Sequence, residues 1–330
     1  MTTMVAVVHE GETGLTGVRA AEVPAPEPGA GEVVVAVRAA GLNHRDLFLV
    51  GAREPGDARV VLGSDGAGVV VAAGPGAAVA PGTEVVINPS LDWEEPDEVP
   101  DVPAILGVPT DGTFAEYVVV PARNVAPKPA HLDWAEAAAL PLAALTAYRA
   151  LFTRGGLRPG AHVLLPGIGS GVATFALAMA KAVGATVTVT SRSAEKCRQA
   201  RELGADHAIG SAEDWTSAVS EPVDLVVDSV GSATFGKCVS VLRPGGRLVS
   251  LGATTGPDVQ LSLRDMFFRQ ISLLGTSMGS ARGFERMLAL VAEHRIRPVV
   301  HRTFPLPDGP RALAELARGD QFGKLVLTVD

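Results

Sequence analysis

Hydrophobic residues are spaced differently in the two halves of this chain. Up to residue 120, short Val-rich runs alternate with Gly/Pro turns and predict strands at 32–37, 68–72, 84–87 and 117–120. From residue 134 onwards, all-apolar runs predict strands at 162–165, 186–190, 224–228, 248–251 and 271–275. Helical patterns separate them at 172–183, 194–203, 233–242 and 283–294. Continuous apolar strands between helices indicate a doubly wound parallel sheet, and the closing run "FGKLVLTVD" predicts one more strand, which rejoins the first half.

Composition narrows the class of protein. A chain of 330 residues with 47% hydrophobic and 19% charged residues predicts two globular domains. The net charge of −8 is spread along the chain without a basic stripe, so we expect no nucleic-acid partner. No apolar run approaches the ~18 residues of a membrane span, and no signal pattern opens the sequence, so we expect a cytoplasmic protein. Two cysteines, Cys197 and Cys238, are too few for a disulfide framework and are expected to be structural.

A glycine-rich turn follows the first strand of the second half. The segment "PGIGSGVATFALAMAK" places Gly167, Gly169 and Gly171 between a predicted strand and a predicted helix. Small residues let a backbone approach a pyrophosphate, and a helix N-terminus offers N–H donors to it. We therefore predict that Gly167, Gly169, Ser170, Gly171 and Val172 bind a dinucleotide, rather than merely forming a tight turn.

The end of the next strand bears on the choice of cofactor. An NAD site typically has an acidic residue there, which accepts from the ribose 2′-hydroxyl. This chain instead has "VTVTSRSAEK", with Ser191, Arg192, Ser193 and Lys196. Hydroxyl and cationic donors suit a 2′-phosphate, so the segment predicts NADPH. The alternative is that Arg192 and Lys196 are solvated surface charges.

Together with these features, several longer motifs resemble the medium-chain dehydrogenase/reductase superfamily over essentially the whole chain. They include "VLGSDGAGVVVAAG", "DGTFAEYVVVPARNVAPKP", "ELGADHAI", "LRPGGRLVSLGATTG" and "FGKLVL". The most similar branch is the zinc-free, quinone-oxidoreductase-like (zeta-crystallin-like) one. The resemblance implies a GroES-like β-barrel domain, residues 1–125 completed by 276–330, and a Rossmann NADP(H)-binding domain, residues 126–275. It also implies an active site in the cleft between them and a homodimer formed through strand 271–275.

Zinc members of this superfamily hold the metal with a Cys, a His-Glu pair and a later Cys or Asp. By motif, these positions are Asn43, Ser64-Asp65 and a residue near Leu142 here. Only Asp65 is a strong ligand type, and the structural-zinc lobe is replaced by "SLDWEEPDEVPDVPAIL", which lacks cysteine. His44 and Asp46 add possible donors but make a poor zinc set, so we expect no metal. The acidic loop 92–101 is expected to be a solvated surface loop; a lid over the cleft is the alternative.

Without a metal, the substrate must accept hydride with help from hydrogen bonds or a general acid. The candidates for this role are Asn43, His44, Arg45 and Asp65, each of which can also be a capping, surface or pairing residue. The resemblance implies further cofactor contacts at Thr146, Gly252, Ala253, Thr254, Thr276, Ser277, Met278 and Lys324. We expect an NADPH-dependent enzyme that reduces a small molecule, either a quinone or an activated alkene. The alternatives are a metal-free carbonyl or alcohol dehydrogenase, and an NADPH-binding protein with little turnover.

Overall fold

The computed structural model describes residues 2–108 and 110–329. By internal contacts the chain divides into two compact units, Met1–Ala143 with Gly279–Asp330, and Ala144–Met278. No helix in the described ranges has the length and apolar character needed to cross a lipid bilayer.

Strands and helices are numbered in chain order. The strands are β1 (Thr3–His9), β2 (Val18–Pro24), β3 (Glu32–Gly41), β4 (Val60–Val61), β5 (Asp65–Ala73), β6 (Glu84–Ile87), β7 (Tyr117–Pro121), β8 (Val125–Pro127), β9 (His162–Leu165), β10 (Thr186–Ser191), β11 (His207–Gly210), β12 (Val223–Asp228), β13 (Leu242–Ser250), β14 (Ser272–Gly275), β15 (Val300–Pro305) and β16 (Lys324–Thr328). The α-helices are α1 (His44–Ala52), α2 (Trp134–Ala139), α3 (Pro141–Tyr148), α4 (Gly171–Ala182), α5 (Ala194–Glu202), α6 (Trp215–Ala218), α7 (Ser232–Val241), α8 (Leu263–Arg269), α9 (Ala281–Glu293) and α10 (Gly309–Arg318). Shorter 3₁₀ turns cover Gly14–Gly17, Ala122–Asn124 and Leu306–Asp308, and a π-helical segment covers Arg149–Arg154.

The second unit is built on one parallel sheet with the strand order β11-β10-β9-β12-β13-β14. All four residues of β9 are buried, as the continuous apolar runs predict for strands covered on both faces. The order reverses between β9 and β12, and such a reversal opens a crevice at the carboxyl ends of the strands. The predicted doubly wound Rossmann sheet is confirmed.

The first unit contains two β-sheets, and its larger hydrophobic core includes residues of both. The larger has the order β15-β16-β3-β5-β6-β8, with β7 also paired to β3, and the smaller has the order β2-β1-β4. Val33, Val35, Leu62 and Phe114 are among the fully buried side chains of this core. The β16 strand runs antiparallel to β3, with Val326 opposite Gly41, so the predicted return of this strand to the first domain is confirmed.

The structure assigns residues 126–143 to the first unit, whereas the sequence suggested a boundary at 125. The reason is that α2 packs directly on β3. A Cβ atom at Gly41 would lie 2.5 Å from the Ala138 carbonyl oxygen, so this close approach depends on glycine.

Candidate active site

The loop after β3 enters α1 at Asn43. The Asn43 backbone is extended, with φ −132° and ψ 152°, and its N–H donates to Asp46 Oδ2 at 2.7 Å. Asp46 is the third residue of α1, which is where an acidic side chain reaches back to the capping residue. Asn43 is therefore the helix N-cap, and its side chain, only 7% exposed, makes separate contacts.

Asp65 begins β5 and is fully buried. Pairing of β3 with β5 places it opposite Gly41, two residues before Asn43. Its Oδ1 accepts from the Leu142 backbone N–H at 2.8 Å, and its Oδ2 accepts from Asn43 Nδ2 at 2.8 Å. The Thr113 hydroxyl donates to its backbone carbonyl oxygen at 2.7 Å. These bonds fix the carboxylate in one position beside the Asn43 amide.

Lys324 begins β16 and reaches the same two side chains. Its Nζ donates to Leu42 O at 2.6 Å, to Asn43 Oδ1 at 2.6 Å and to Asp65 Oδ2 at 3.1 Å. An ammonium has three N–H donors, so these bonds use all of them. Lys324 is 3% exposed and its charge is balanced by Asp65. We refer to Asn43, Asp65 and Lys324 as the Lys324 cluster; contact of Lys324 with a cofactor stays a prediction.

Arg45 and His44 lie on the first turn of α1 but differ in surroundings. The Arg45 guanidinium donates to Ser64 Oγ at 3.0 Å and to backbone carbonyls at residues 105, 106 and 108, at 3.3–3.4 Å. Burial lowers the pKa of Arg45 from its ordinary value. Arg45 thus fastens the 105–108 segment to α1, whereas His44 is exposed. A role for either residue in catalysis remains a prediction.

The residues at the zinc-ligand positions do not fit a zinc ion. Leu142 offers a backbone N–H there, and Ser64 Oγ donates to a carbonyl oxygen at 2.8 Å. Asn43 Oδ1 and Asp65 Oδ2 both accept from the Lys324 ammonium, whose positive charge would repel a dication. Structural and catalytic zinc ions require three or four N, S or O ligands at about 2.0–2.3 Å. Within the described ranges, no three His, Cys, Asp or Glu side chains group in a way that suits a metal.

The glycine turn after β9 has the geometry of a dinucleotide site. Gly167 has φ +68° and Gly169 has φ +127°, conformations that L side chains rarely adopt. Ser170 caps α4 by accepting from Ala173 N at 3.1 Å. The first backbone N–H groups of α4 therefore lie close to the carboxyl end of β9. A Cβ at Gly169 would lie 2.9 Å from Lys196 Cδ and 3.4 Å from Lys196 Nζ. A cationic side chain thus lies beside a turn that fits a pyrophosphate.

The next strand ends in the hydroxyl-rich segment that the sequence singled out. Ser191 ends β10 and is 7% exposed, and its Oγ accepts from Ser193 N at 3.1 Å. Ser193 in turn caps α5 by accepting from Lys196 N at 3.3 Å. Arg192 is exposed. Because β10 is the neighbour of β9, these side chains lie next to the glycine turn.

The remaining predicted cofactor residues occupy three places. Gly252–Thr254 follow β13, where Thr254 Oγ1 donates to Ser229 O at 3.1 Å, and Thr276–Met278 follow β14, where Thr276 N donates to Ser250 O at 2.9 Å. These residues therefore share the carboxyl edge of the sheet with the glycine turn. Thr146 lies on α3 and is 5% exposed.

Sequence reasoning did not find two contacts that define these sites. The Lys324 cluster joins residues 281 positions apart, and the only signal was that a lysine begins the strand run "KLVLT". The contact of Lys196 with Gly169 was also missed, although Lys196 lies in the first turn of α5. Both contacts follow from strand pairing that the local sequence does not specify.

Two family models match the chain. Residues 29–130 match the "alcohol dehydrogenase GroES-like domain", and residues 171–293 match the "zinc-binding dehydrogenase" model. The second match does not include the zinc-ligand positions, which are Asn43, Ser64, Asp65 and Leu142. The name of that model is therefore no evidence for a zinc ligand at any of them.

Known proteins resemble the chain over nearly its whole length. It is 35% identical to the zinc-type alcohol dehydrogenase-like protein YogA of Leptosphaeria maculans, over 93% of each chain. It is 32% identical to an acryloyl-coenzyme A reductase of Metallosphaera sedula, over 98% of this chain and 100% of that one. A solved NAD-dependent alcohol dehydrogenase superposes with a TM-score of 0.92 and 39% identity, over 99% and 100% of the two chains. The 2-octenoyl-CoA carboxylase reductase CinF, solved with NADP and 2-octenoyl-CoA, superposes with a TM-score of 0.89 and 25% identity, over 99% and 88%.

The Rossmann sheet, its glycine turn and the GroES-like β domain define an oxidoreductase. The chain belongs to the medium-chain dehydrogenase/reductase superfamily, as the sequence motifs predicted.

Proposed function

We propose that this enzyme transfers a hydride from NADPH to a quinone or to an activated alkene, such as an enone, an enal or an enoyl thioester, without zinc. The observation that carries the proposal is the Lys324 cluster. The two oxygens that could ligate a metal at the family positions, Asn43 Oδ1 and Asp65 Oδ2, both accept from a buried ammonium. The site therefore favours hydrogen bonds over a Lewis acid.

The choice of substrate class follows from this. A quinone or conjugated alkene spreads the incoming negative charge onto an oxygen, so a hydrogen-bond donor is enough to stabilise it. An isolated ketone lacks this delocalisation and depends more strongly on a metal. The names of an acryloyl-CoA reductase and of a reductase solved with 2-octenoyl-CoA support conjugated thioesters as one such class.

NADPH is proposed over NADH because the β10 end has hydroxyl and cationic side chains in place of an acid. Ser191, Arg192, Ser193 and Lys196 offer the donors that a 2′-phosphate needs. CinF, which was solved with NADP, supports the proposal, whereas the NAD-dependent alcohol dehydrogenase does not. NADPH supplies the hydride when bound, and the residues of the glycine turn bind its phosphates.

The function is tested with purified enzyme and a panel of acceptors: quinones, enones, enoyl thioesters and simple ketones, followed by NADPH loss at 340 nm. We expect turnover with at least one conjugated acceptor, unchanged by a chelator, and less than one zinc ion per ten chains by elemental analysis, on the order expected for contamination. A stoichiometric zinc ion that is required for activity would contradict the proposal.

A metal-free carbonyl or alcohol dehydrogenase is the second candidate. The observation in its favour is that YogA and the 39%-identical solved structure are named for alcohol dehydrogenases. The same panel separates the two, since this candidate requires simple ketones to be reduced, or alcohols to be oxidised, faster than any conjugated acceptor is reduced. Tight NADPH binding without turnover of any acceptor would indicate a binding protein instead.

We also propose that two copies of the chain associate through β14. In the described part of the second unit, β14 pairs with β13 alone, so its other edge has unpaired backbone groups. Nearby in sequence, α8 exposes Leu263 (71%), Phe267 (61%) and Phe268 (66%). A second copy that continues the sheet would pair the edge, and apolar exposure of this kind is typical of an interface.

A further inference from the structure

The Asn43 side-chain amide is held in a single orientation by neighbours that leave no alternative. The Lys324 ammonium can only donate, so the amide atom 2.6 Å from it must be the oxygen Oδ1. The Asp65 carboxylate accepts, so the atom 2.8 Å from its Oδ2 must be Nδ2. Reversal of the amide would place N–H against N–H⁺ and oxygen against oxygen. The hydrogen-bonding chemistry of Lys324 and Asp65 thus determines the orientation of the Asn43 amide.

In this orientation one of the two N–H groups of the Asn43 amide has no hydrogen-bond acceptor among the described residues. The Nδ2 group has two N–H bonds, and one of them bonds to Asp65. Among residues 2–108 and 110–329 the other finds no acceptor, although Asn43 is only 7% exposed. A cation at Oδ1 draws electron density from the amide and makes this remaining N–H a stronger donor.

We propose that Lys324 is a positioning residue that aims and polarises the spare Asn43 N–H toward the oxygen of the substrate. This inference rests on the proposed function. In an enone or enoyl thioester, hydride with its electron pair adds to the β-carbon, and the C=C pair shifts toward the carbonyl oxygen. The enolate then takes a proton from water at the α-carbon, which completes the saturated product. The Asn43 N–H stabilises the oxygen as its charge grows, so it acts mainly in the transition state.

Asp65 keeps the arrangement neutral and rigid. Its buried charge offsets that of Lys324, and its second oxygen is held by the Leu142 N–H. Removing Lys324 alone would leave a buried carboxylate without a counter-charge and would endanger the fold. The informative variant is therefore the double substitution Lys324→Gln with Asp65→Asn. It removes both charges together, and its two amides can accommodate either orientation of Asn43.

The first test is a kinetic cycle on the acceptor that the wild-type enzyme reduces best. We expect Asn43→Ala to lower kcat by about 100-fold, the usual cost of one lost donor to a developing oxyanion. We expect Lys324→Gln/Asp65→Asn to lower kcat by at least about tenfold with little change in KM. Adding Asn43→Ala to that double variant should lower kcat little below the value for Asn43→Ala alone, because Lys324 acts through Asn43. The single substitution Lys324→Arg, which keeps a cation beside Asp65, should give a kcat between those of the Lys324→Gln/Asp65→Asn variant and the wild type.

Lys128→Gln is the matched control, because Lys128 is a half-buried lysine of the same unit that binds Glu84 and the Leu132 carbonyl oxygen. It should retain wild-type kcat. Full kcat in the Lys324→Gln/Asp65→Asn variant, or losses that multiply when Asn43→Ala is added, would overturn the inference.

The second test does not need turnover. In ¹⁵N-labelled enzyme the Asn43 side-chain NH₂ signals are identified by their disappearance in Asn43→Ala. We expect one of the two protons to exchange slowly with solvent, and this protection to be lost in Lys324→Gln/Asp65→Asn. Equal, unprotected protons in the wild type would overturn the fixed orientation. If no acceptor is reduced, the proposed function fails and the substrate contact fails with it, while the NH₂ signals still decide the orientation.

Discussion

Two buried carboxylates at the start of α1 and β5 have very different partners. Asp65 accepts from Leu142, Asn43 and Lys324. Asp46 accepts from the Asn43 backbone N–H through Oδ2, while its buried Oδ1 has no partner among the described residues. Burial therefore raises the pKa of Asp46 from 3.8 to about 7. Asp46 therefore exchanges its proton near neutral pH.

Asp46 should make the stability of the enzyme fall as pH rises from about 4 to 8. Its folded-state pKa is raised, so the stabilising proton is fully bound below pH 3.8 and is lost as pH passes about 7. Asp46→Asn keeps an oxygen for the Asn43 N–H but does not titrate. Its gain in unfolding free energy over the wild type should grow across this range, to at most about 4 kcal/mol. Thermal unfolding at several pH values measures it, with the exposed Asp101→Asn as control. A gain that does not vary with pH would contradict the assignment.

Cofactor preference should change at the end of β10. Ser191→Asp with Arg192→Ala replaces a hydroxyl and a cation by an acid that can accept from a ribose 2′-hydroxyl and repel a 2′-phosphate. We expect the NADPH dissociation constant to rise by about 10- to 100-fold relative to that of NADH, since charge-assisted hydrogen bonds contribute about 1.5–3 kcal/mol. Fluorescence titration with both cofactors checks this, with Arg198→Ala on the exposed face of α5 as control. An unchanged ratio rules out a 2′-phosphate contact at this strand end.

At the residue scale, the sequence identified the residues of the candidate site, but it did not identify the side chains and carbonyl groups that they contact. Asn43 and Asp65 were found because they stand at motif positions, and their contact was not foreseen. Arg45 has carbonyl acceptors on a segment some 60 residues away, which no local pattern reveals. Side-chain contacts of this kind depend on register between distant strands, and that register is set by the folded core.

At the scale of elements, strands buried on both faces were the easiest to predict. The strands β9 and β12 have largely apolar centres, and β10 is an alternation of Thr and Val. The observed limits of all three lie within a residue or so of the prediction. The half-exposed strand β2 and the amphipathic helix α10 were not predicted. In β2, alanine and charged residues blur the alternation, so the existence of this strand is decided by packing on the core. The apolar residues of α10 do keep a helical spacing, so this helix could have been predicted.

The amino end of the Rossmann sheet contains a buried histidine that should sense pH. His162 Nε2 lies 2.7 Å from Thr188 Oγ1, and Nδ1 lies 3.1 Å from the Glu221 carbonyl oxygen. Burial lowers the pKa of His162 below its ordinary value of 6.5. The contribution of neutral His162 to the free energy of unfolding is therefore fully present above pH 6.5 and is lost as the pH falls. His162→Gln should lose less stability than the wild type between pH 7 and pH 5, as measured by urea unfolding followed through Trp215. The exposed His294→Gln should behave as the wild type; equal pH slopes for His162→Gln and wild type would contradict this role.

At the scale of the whole molecule, the proposed pairing of two copies predicts a change in mass. Phe267→Ser with Phe268→Ser removes most of the exposed apolar surface of α8. We expect the wild type to sediment as a dimer and this variant to shift toward monomer at micromolar concentration, because a sheet edge alone offers little hydrophobic stabilisation. Phe48→Ser, an equally exposed phenylalanine of the first unit, is the control. A wild-type monomer at all concentrations tested would contradict the pairing.

The distance in sequence between Asn43 and Lys324 has a consequence for synthesis. The two residues are 281 positions apart, and at about 5–20 residues per second a ribosome needs about 15–55 s to travel from one to the other. During that time Asp65 lacks its counter-ion, and the residues of the second unit, Ala144–Met278, are made within the same interval. All six strands of the parallel sheet are therefore synthesised before the lysine that fixes the direction of the Asn43 amide.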